Sequence, residues 1–181
     1  MKTAAISIPV PGQTTARPDV TQSHLVFDVG SEFYACPISD IERLLRCADA
    51  EVRPSDADAP SWEAGRLMEQ AGASGIPIVS LRALWGLPAK GGRADKEALL
   101  VVRIGERLVA LLVDACLSVL PNLPMESARF DLPSPLLGPQ GKVFQSAVAW
   151  QNSLLVILQI QNLLEGEKAA LPERLELPVL S

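Results

Sequence analysis

Two segments of the chain carry the same order of apolar and turn residues, and this repeat constrains the fold more than any other feature. When Gly30 is aligned with Gly105, 75 residues later, apolar residues face apolar residues along both flanks. Each glycine lies between two β-prone runs, and glycine supplies the positive φ that a tight turn between strands requires. The repeat therefore predicts a β-hairpin in each half of the chain. Ile41 and Leu44 follow the first hairpin, in a segment interpreted as a short turn.

A second repeat follows each hairpin at a nearly equal offset. With Leu81 aligned to Ile160, 79 residues later, Ile76 meets Leu155 and the neighbouring apolar residues also match. The two offsets are close enough for one loop to absorb the difference, and two copies are too few for a solenoid. They predict two similar small β-lobes packed side by side. Each lobe is expected to close into a barrel, because closure leaves fewer open strand edges.

Local signals place turns within these repeats. The segment "IPIVSLRALWGL" predicts a strand that runs into a helical turn ending near Gly86. Gln151 and Asn152 separate two β-prone runs and predict a further tight turn.

Composition and charge exclude several classes of function. The 181 residues suit one compact unit or two small lobes with a shared core, and 48% of them are apolar. The net charge is −5 and no basic cluster is visible, so nucleic acid is not an expected partner. The first residues do not resemble a signal peptide, and no apolar stretch is long enough for a membrane span. The sequence predicts a soluble cytoplasmic protein.

The residues that usually hold metals or cofactors are scarce. Cys36, Cys47 and Cys116 are widely separated and form no CxxC pair, so they are interpreted as small apolar residues in a reduced cytosol. His24 is the only histidine, which disfavours Ser-His-Asp and Cys-His catalysis. No glycine-rich phosphate loop is present. We expect no metal site and no cofactor.

Asp114 stands among apolar neighbours and could be a catalytic acid, a metal ligand or the residue that ends a strand. In the repeat it aligns with Ser39, another short side chain able to hydrogen-bond nearby backbone, which favours a cap at a strand exit. A small barrel enzyme that uses Asp114 with Glu63, Glu69 or Asp131 remains an alternative, although no spacing groups these carboxylates. A reader of proline-rich peptides is disfavoured, because only 4% of residues are aromatic.

The order of these segments resembles the CheW family of chemotaxis coupling proteins. The resemblance spans about residues 23–165 and rests on four strings: "LVFDVGSEFYACPISDIERLL", "IPIVSLRALWG", "LLVDACLSVL" and "SLLVILQIQNLL". It implies a mostly β fold of two five-stranded SH3-like β-barrel lobes packed around a shared core, with short helical turns. The expected lobes cover about 23–90 and 96–165, after a flexible leader at 1–22 and before a C-terminal tail at 166–181.

The resemblance also implies a function. Proteins of this family are non-catalytic adaptors that link a CheA-type histidine kinase to the cytoplasmic tips of methyl-accepting chemoreceptors, at receptor arrays on the membrane. Members usually carry an Asn-Leu-Arg-Gly segment before the proline-containing strand; here "RLMEQAGASG" follows Gly65 in its place, and Arg66 does not take over its role. This departure favours an alternative, a diverged module that binds the kinase or a localisation factor but not receptors.

The same resemblance selects candidate partner-binding residues. Ile41 and Leu44 keep the family's apolar positions and are expected to dock on the kinase regulatory domain. Arg43 stands where an acidic residue is common, and Gly65 matches the glycine that opens the missing segment. The three tryptophans, Trp62, Trp85 and Trp150, are interpreted as packing in the core or at the lobe boundary, and Trp62, in a predicted loop, is the best surface candidate among them.

Core packing is the competing interpretation of Ile41 and Leu44. Their counterparts in the repeat, Cys116 and Val119, are apolar too, so the repeat cannot separate an interface from a core.

Overall fold

The computed structural model describes residues 23–69, 75–89, 95–123, 129–130 and 142–165. Within these ranges the chain forms twelve strands, one short α-helix and three 3-10 turns. The strands are β1 His24–Val29, β2 Glu32–Pro37, β3 Ile41–Arg46, β4 Val52–Arg53, β5 Glu63–Leu67, β6 Ile76–Ser80, β7 Ala98–Ile104, β8 Arg107–Val113, β9 Ala115–Leu120, β10 Arg129–Phe130, β11 Phe144–Trp150 and β12 Ser153–Leu158. The helix is α1 Leu81–Leu84, and the 3-10 turns are Ile38–Asp40, Cys47–Asp49 and Ile160–Asn162.

The predicted tight turns join adjacent antiparallel strands. Gly30 and Ser31 both have positive φ (67° and 73°), as do Gln151 and Asn152 (46° and 62°). Two consecutive residues of positive φ match the twist of the flanking strands in a two-residue hairpin. The hairpins β1–β2, β7–β8 and β11–β12 confirm the predicted turn positions.

Both closing strands end in a short helical turn, as the second repeat predicts. After β6, the hydroxyl of Ser80 accepts a hydrogen bond from the Ala83 N–H (3.2 Å) and caps α1. The chain leaves this turn through Gly86, which has a φ of 69°. After β12, the 3-10 turn Ile160–Asn162 occupies the equivalent place.

The segment that carries Ile41 and Leu44 differs from the expectation of a turn. Only Ile38–Asp40 forms a helical turn, and Ile41–Arg46 is the strand β3. It pairs antiparallel with β7 from Ile41 opposite Val102 to Arg46 opposite Ala98. Residues 41–46 form a strand because they pair with β7, which is distant in the sequence. The local sequence pattern does not contain this information.

The two sheets exchange hairpins between the halves of the chain. Sheet 1 has the order β10-β11-β12-β2-β1-β9, and sheet 2 has the order β3-β7-β8-β6-β5-β4. The first hairpin, β1–β2, thus completes a sheet whose other strands come from the second half. The hairpin β7–β8 likewise completes the sheet of the first half. The sheets do not follow the consecutive segments 23–90 and 96–165.

The sequence repeat is also a repeat of strand register. The parallel pair Ile78–Ala110 in sheet 2 corresponds to the parallel pair Ile157–Ala35 in sheet 1. Both outer pairs, β3–β7 and β1–β9, contain a register shift at the equivalent position. The duplicated sequence therefore specifies the same pairing pattern twice.

Each sheet curls strongly. β3 and β4 lie at opposite ends of sheet 2, yet only residues 47–51 connect them, which is too short to cross a flat six-stranded sheet. An ion pair between Arg43 on β3 and Glu69 beyond β5 also joins the two ends. The mostly β, two-lobed fold is as predicted. Each sheet has five longer strands and one strand of two residues, rather than five strands alone.

Alternate residues of the central strands fill different cores. On β7, Leu99 and Val101 lie in a cluster built from sheet 2 alone, whereas Leu100 and Val102 lie in a central cluster that draws on both sheets. A third cluster belongs to sheet 1 alone. A strand buried on both faces requires an unbroken apolar run, which explains the sequence "ALLVV".

Candidate docking surface on an edge strand

Strand β3 carries three of the five predicted partner-binding residues: Ile41, Arg43 and Leu44. It is an edge of sheet 2, paired with β7 on one side. An edge strand presents unpaired backbone N–H and C=O groups, so it can accept a further strand or a partner surface. The structure thus brings these three residues together on one accessible element.

Leu44 and Ile41 differ in what they offer a partner. The Leu44 side chain is 50% exposed, whereas Ile41 is half-buried and packs against the central core. Core packing is therefore part of the role of Ile41, and Leu44 is the more accessible apolar group.

Charged residues precede Leu44 on β3 and lie on the neighbouring strand β7. Arg43 pairs with Glu69, and Arg103 on β7 donates from Nε to Glu42 at 2.9 Å. Exposed pairs of this kind contribute little to stability. An apolar centre with a polar rim is the usual arrangement of a protein–protein contact.

Gly65 is buried inside β5 and acts on the backbone. Its φ of 150° is one that residues with a side chain rarely adopt, and an added Cβ would lie 2.6 Å from the carbonyl oxygen of Arg53 on β4. Glycine at this position allows β4 to approach β5. Gly65 therefore supports the edge of sheet 2 and offers no side chain to a partner.

Trp62, the best surface candidate among the tryptophans, is buried instead. Its side chain is only 4% exposed and belongs to the central core. The Trp62 carbonyl accepts a hydrogen bond from the Ser80 N–H (2.8 Å), which holds the residue against the end of β6. Burial of the large indole ring is strongly favourable, and this can draw tryptophan into the core even from a loop.

Asp114 is buried and acts as a long-range tether rather than a local cap. Its Oδ2 accepts from the Gly30 N–H (2.8 Å), and both carboxylate oxygens accept from Arg82, with Nε to Oδ1 and Nη2 to Oδ2 at 2.8 Å. Hydrogen bonding to Asp114 raises the pKa of Arg82. This contact ties the first hairpin turn, in sheet 1, to helix α1, which follows strand β6 of sheet 2. The sequence predicts a structural role for Asp114 but not its partner Arg82, whose only signal is its place in "SLRALWG".

The second hairpin turn is held at the equivalent place by different chemistry. Gln161 aligns with Arg82 in the repeat; its Oε1 accepts from the Gly105 N–H (3.2 Å) and its Nε2 donates to the Arg103 carbonyl (2.7 Å). Ser39, the counterpart of Asp114, is exposed. The repeat preserves the tethered turn but not the tethering groups.

The carboxylates proposed for an enzyme are bound to separate arginines. Asp114 pairs with Arg82, Glu63 with Arg66 at 3.3 Å, and Glu69 with Arg43. The fourth candidate, Asp131, lies outside the described residues. Among the residues that the structure describes, no group of three or more His, Cys, Asp or Glu side chains could hold a metal ion. No helix in the described ranges is long and apolar enough to cross a membrane.

Burial raises the pKa values of all three thiols. It raises the pKa of Cys36 to about 12 and that of Cys116 to about 11. The pKa of Cys47 is raised as well, first by burial. Reactivity belongs to the thiolate, so these side chains act chiefly as small apolar groups.

Comparison with known proteins gives two similarities. A family model described as the CheW-like domain matches residues 23–168. Among solved structures, the chain is similar to the scaffolding protein TtCheW from Thermoanaerobacter tengcongensis, with a TM-score of 0.65 and 21% identity over 80% of this chain and 93% of that chain. No curated protein sequence matched.

Proposed function

Because this chain belongs to the CheW-like domain family, we propose that it is a non-catalytic cytoplasmic scaffold that couples a CheA-type histidine kinase to chemoreceptors. The coupling serves a chemotaxis or surface-motility pathway at membrane-associated receptor arrays. The family match across residues 23–168 is the observation that carries the proposal. The scaffolding protein TtCheW, which shares the fold, supports it.

In this proposal, the edge of sheet 2 docks on the regulatory domain of the kinase. Leu44 is the apolar centre of the contact, with Arg43 in its rim and Ile41 beneath. Complete burial of a leucine side chain is worth about 1.5–3 kcal/mol, and half of Leu44 is already buried, so docking gains about 1 kcal/mol from this residue. A single contact of this size is weak and depends on many copies held close together in an array.

A second candidate function follows from the surroundings of Arg43. Here a diverged module binds the kinase or a localisation factor but not receptors. "RLMEQAGASG" replaces the family's Asn-Leu-Arg-Gly segment, and its Glu69 pairs with Arg43. A receptor surface that recognises an arginine in the missing segment would meet a carboxylate in this region instead.

The docking edge is tested by Leu44→Arg. The variant places a charge at the centre of the proposed contact and removes its apolar group. We expect the kinase regulatory domain to bind at least about tenfold more weakly, a loss of about 1.4 kcal/mol. Isothermal titration calorimetry with the purified regulatory domain measures the change.

Leu154→Arg is the matched control, because Leu154 is 57% exposed but lies on β12 of sheet 1. It should bind the kinase domain as the unmodified chain does, and both variants should keep the unmodified thermal unfolding midpoint. Equal affinities of the two variants would exclude the β3 edge. Titration of receptor-tip peptides separates the two candidate functions, because only the coupling scaffold binds them.

A further inference from the structure

Strand β9 is an edge of sheet 1, and unlike the edge strand β3 it carries no charged residue. Among the described residues it pairs with β1 alone, and its sequence "ACLSVL" contains no charged residue and no proline. Leu117 and Val119 expose 45% and 52% of their side chains. Soluble proteins usually guard such an edge with charges or proline, because an open apolar edge pairs with other chains.

The repeat provides an internal comparison for this edge. Positions 43 and 44 on β3 correspond to Ser118 and Val119 on β9, and both strands carry the same register shift. β3 presents Glu42 and Arg43 beside Leu44, whereas the corresponding residues on β9, Leu117 and Ser118, are uncharged. Arg46 corresponds to Pro121, which follows the end of β9. The register shift is shared and therefore does not explain the difference between the two edges. The absence of charge on β9 is a property of that strand and not of the fold.

We propose that β9 is the interface between two copies of this chain. The two strands pair antiparallel about Ser118, so that sheet 1 continues from one copy into the other across a two-fold axis. In this register Leu117 of one copy faces Val119 of the second, twice, and no charges meet. A two-fold interface must be self-complementary, and an uncharged strand with an apolar residue on either side of its centre meets that condition.

The contact is small, so the dimer is concentration-dependent. A six-residue strand is about 20 Å long, and pairing two of them buries less than the roughly 1,600 Å² of a standard interface. Dissociation in the micromolar range is expected for such an interface. The inference concerns β9 alone and does not depend on the kinase-docking role of β3.

Sedimentation velocity of the full chain across the micromolar range tests the proposal. The unmodified protein should pass from monomer to dimer as its concentration rises. Val119→Lys, and independently Leu117→Lys, should remain monomeric at every concentration, because each places like charges on both sides of the two-fold axis. Leu44→Lys, the change at the position on β3 that corresponds to Val119, should dimerise as the unmodified chain does.

Oxidative cross-linking tests the register. Directly opposed residues on antiparallel strands have Cα atoms about 4.5–5.5 Å apart, within the range of a disulfide. Ser118→Cys should therefore form a covalent dimer under mild oxidation. Arg43→Cys, at the corresponding position on β3, should not. The unmodified chain, which keeps Cys36, Cys47 and Cys116, gives the background against which both variants are compared.

A monomeric unmodified protein at all concentrations overturns the proposal. A dimer that persists in both lysine variants overturns it as well. The proposal is also overturned if the unmodified chain is monomeric and Val119→Lys weakens kinase binding. In that case β9 is a surface that binds the kinase. The kinase titration of Leu44→Arg uses another strand and another readout, so failure of either proposal is recognised separately.

Discussion

At the scale of single residues, Gly65 and Asp114 hold parts of the fold that lie far apart in the sequence. Gly65 has no side chain where β4 approaches β5, and Asp114 joins the turn at Gly30 to Arg82. Both occupy positions that look like parts of a functional site in the sequence. Their contacts assign them to the scaffold on which the surface residues are presented.

Replacement of Gly65 by a residue with a side chain should lower the free energy of unfolding. Gly65→Ala adds a Cβ 2.6 Å from the Arg53 carbonyl oxygen and forces alanine into a φ of 150°. We expect the free energy of unfolding to fall by about 2–4 kcal/mol, from backbone strain and displacement of β4 together. Urea denaturation followed by tryptophan fluorescence measures it.

Gly105→Ala is the control variant without a close contact to an added Cβ. Gly105 also has positive φ (61°), but nothing lies within 4 Å of an added Cβ. This variant should lose only about 1 kcal/mol, the backbone contribution. Equal losses in the two variants would show that the close approach of β4 carries no cost.

At the scale of secondary structure, the hairpins follow from short-range rules. The turn residues Gly30, Ser31, Gln151 and Asn152 all adopt the positive φ that their hairpins require. The two outer strands, β3 and β9, are equivalent in pairing but differ in charge. The sequence predicted the turns from local composition, whereas the edge position of β3 and β9 depends on which strands pair.

The β11–β12 turn should be improved by better turn residues. Gln151 and Asn152 both have positive φ, and Asn-Gly is the preferred pair in such a turn. The double change Gln151→Asn and Asn152→Gly should raise the free energy of unfolding by about 1 kcal/mol, because Asn and Gly adopt positive φ at a lower cost. Thermal unfolding by circular dichroism measures the shift in Tm. Asn152→Gln should act in the opposite direction, and a rise in Tm there would contradict the assignment of the turn.

At the scale of the whole molecule, exchange of the hairpins makes the two halves interdependent. Each half supplies the hairpin that completes the sheet of the other. The central core draws residues from both sheets, so neither half can bury its apolar surface alone. A rigid unit of this kind holds β3 and β9 in a constant relative position.

Separate expression of the halves tests this interdependence. Fragments 23–90 and 91–165 should each lack cooperative unfolding as monomers, because each hairpin is missing the sheet that it completes. Mixed together, they should regain the β-rich circular dichroism spectrum and a cooperative transition. A folded monomeric 23–90 fragment would contradict the exchanged topology.

The sequence alone determined the duplication, the hairpins, the turn positions and the family, because periodicity and turn chemistry act between neighbouring residues. The tertiary structure decided what depends on contacts between distant residues. Asp114 binds groups 84 and 32 residues away, Trp62 is drawn into a core shared by both sheets, and Leu44 remains exposed where Ile41 does not. Two equivalent repeats can pair within themselves or exchange their hairpins with the same local pattern. Only the packing of the complete chain distinguishes these arrangements, and with them which strands become the open edges.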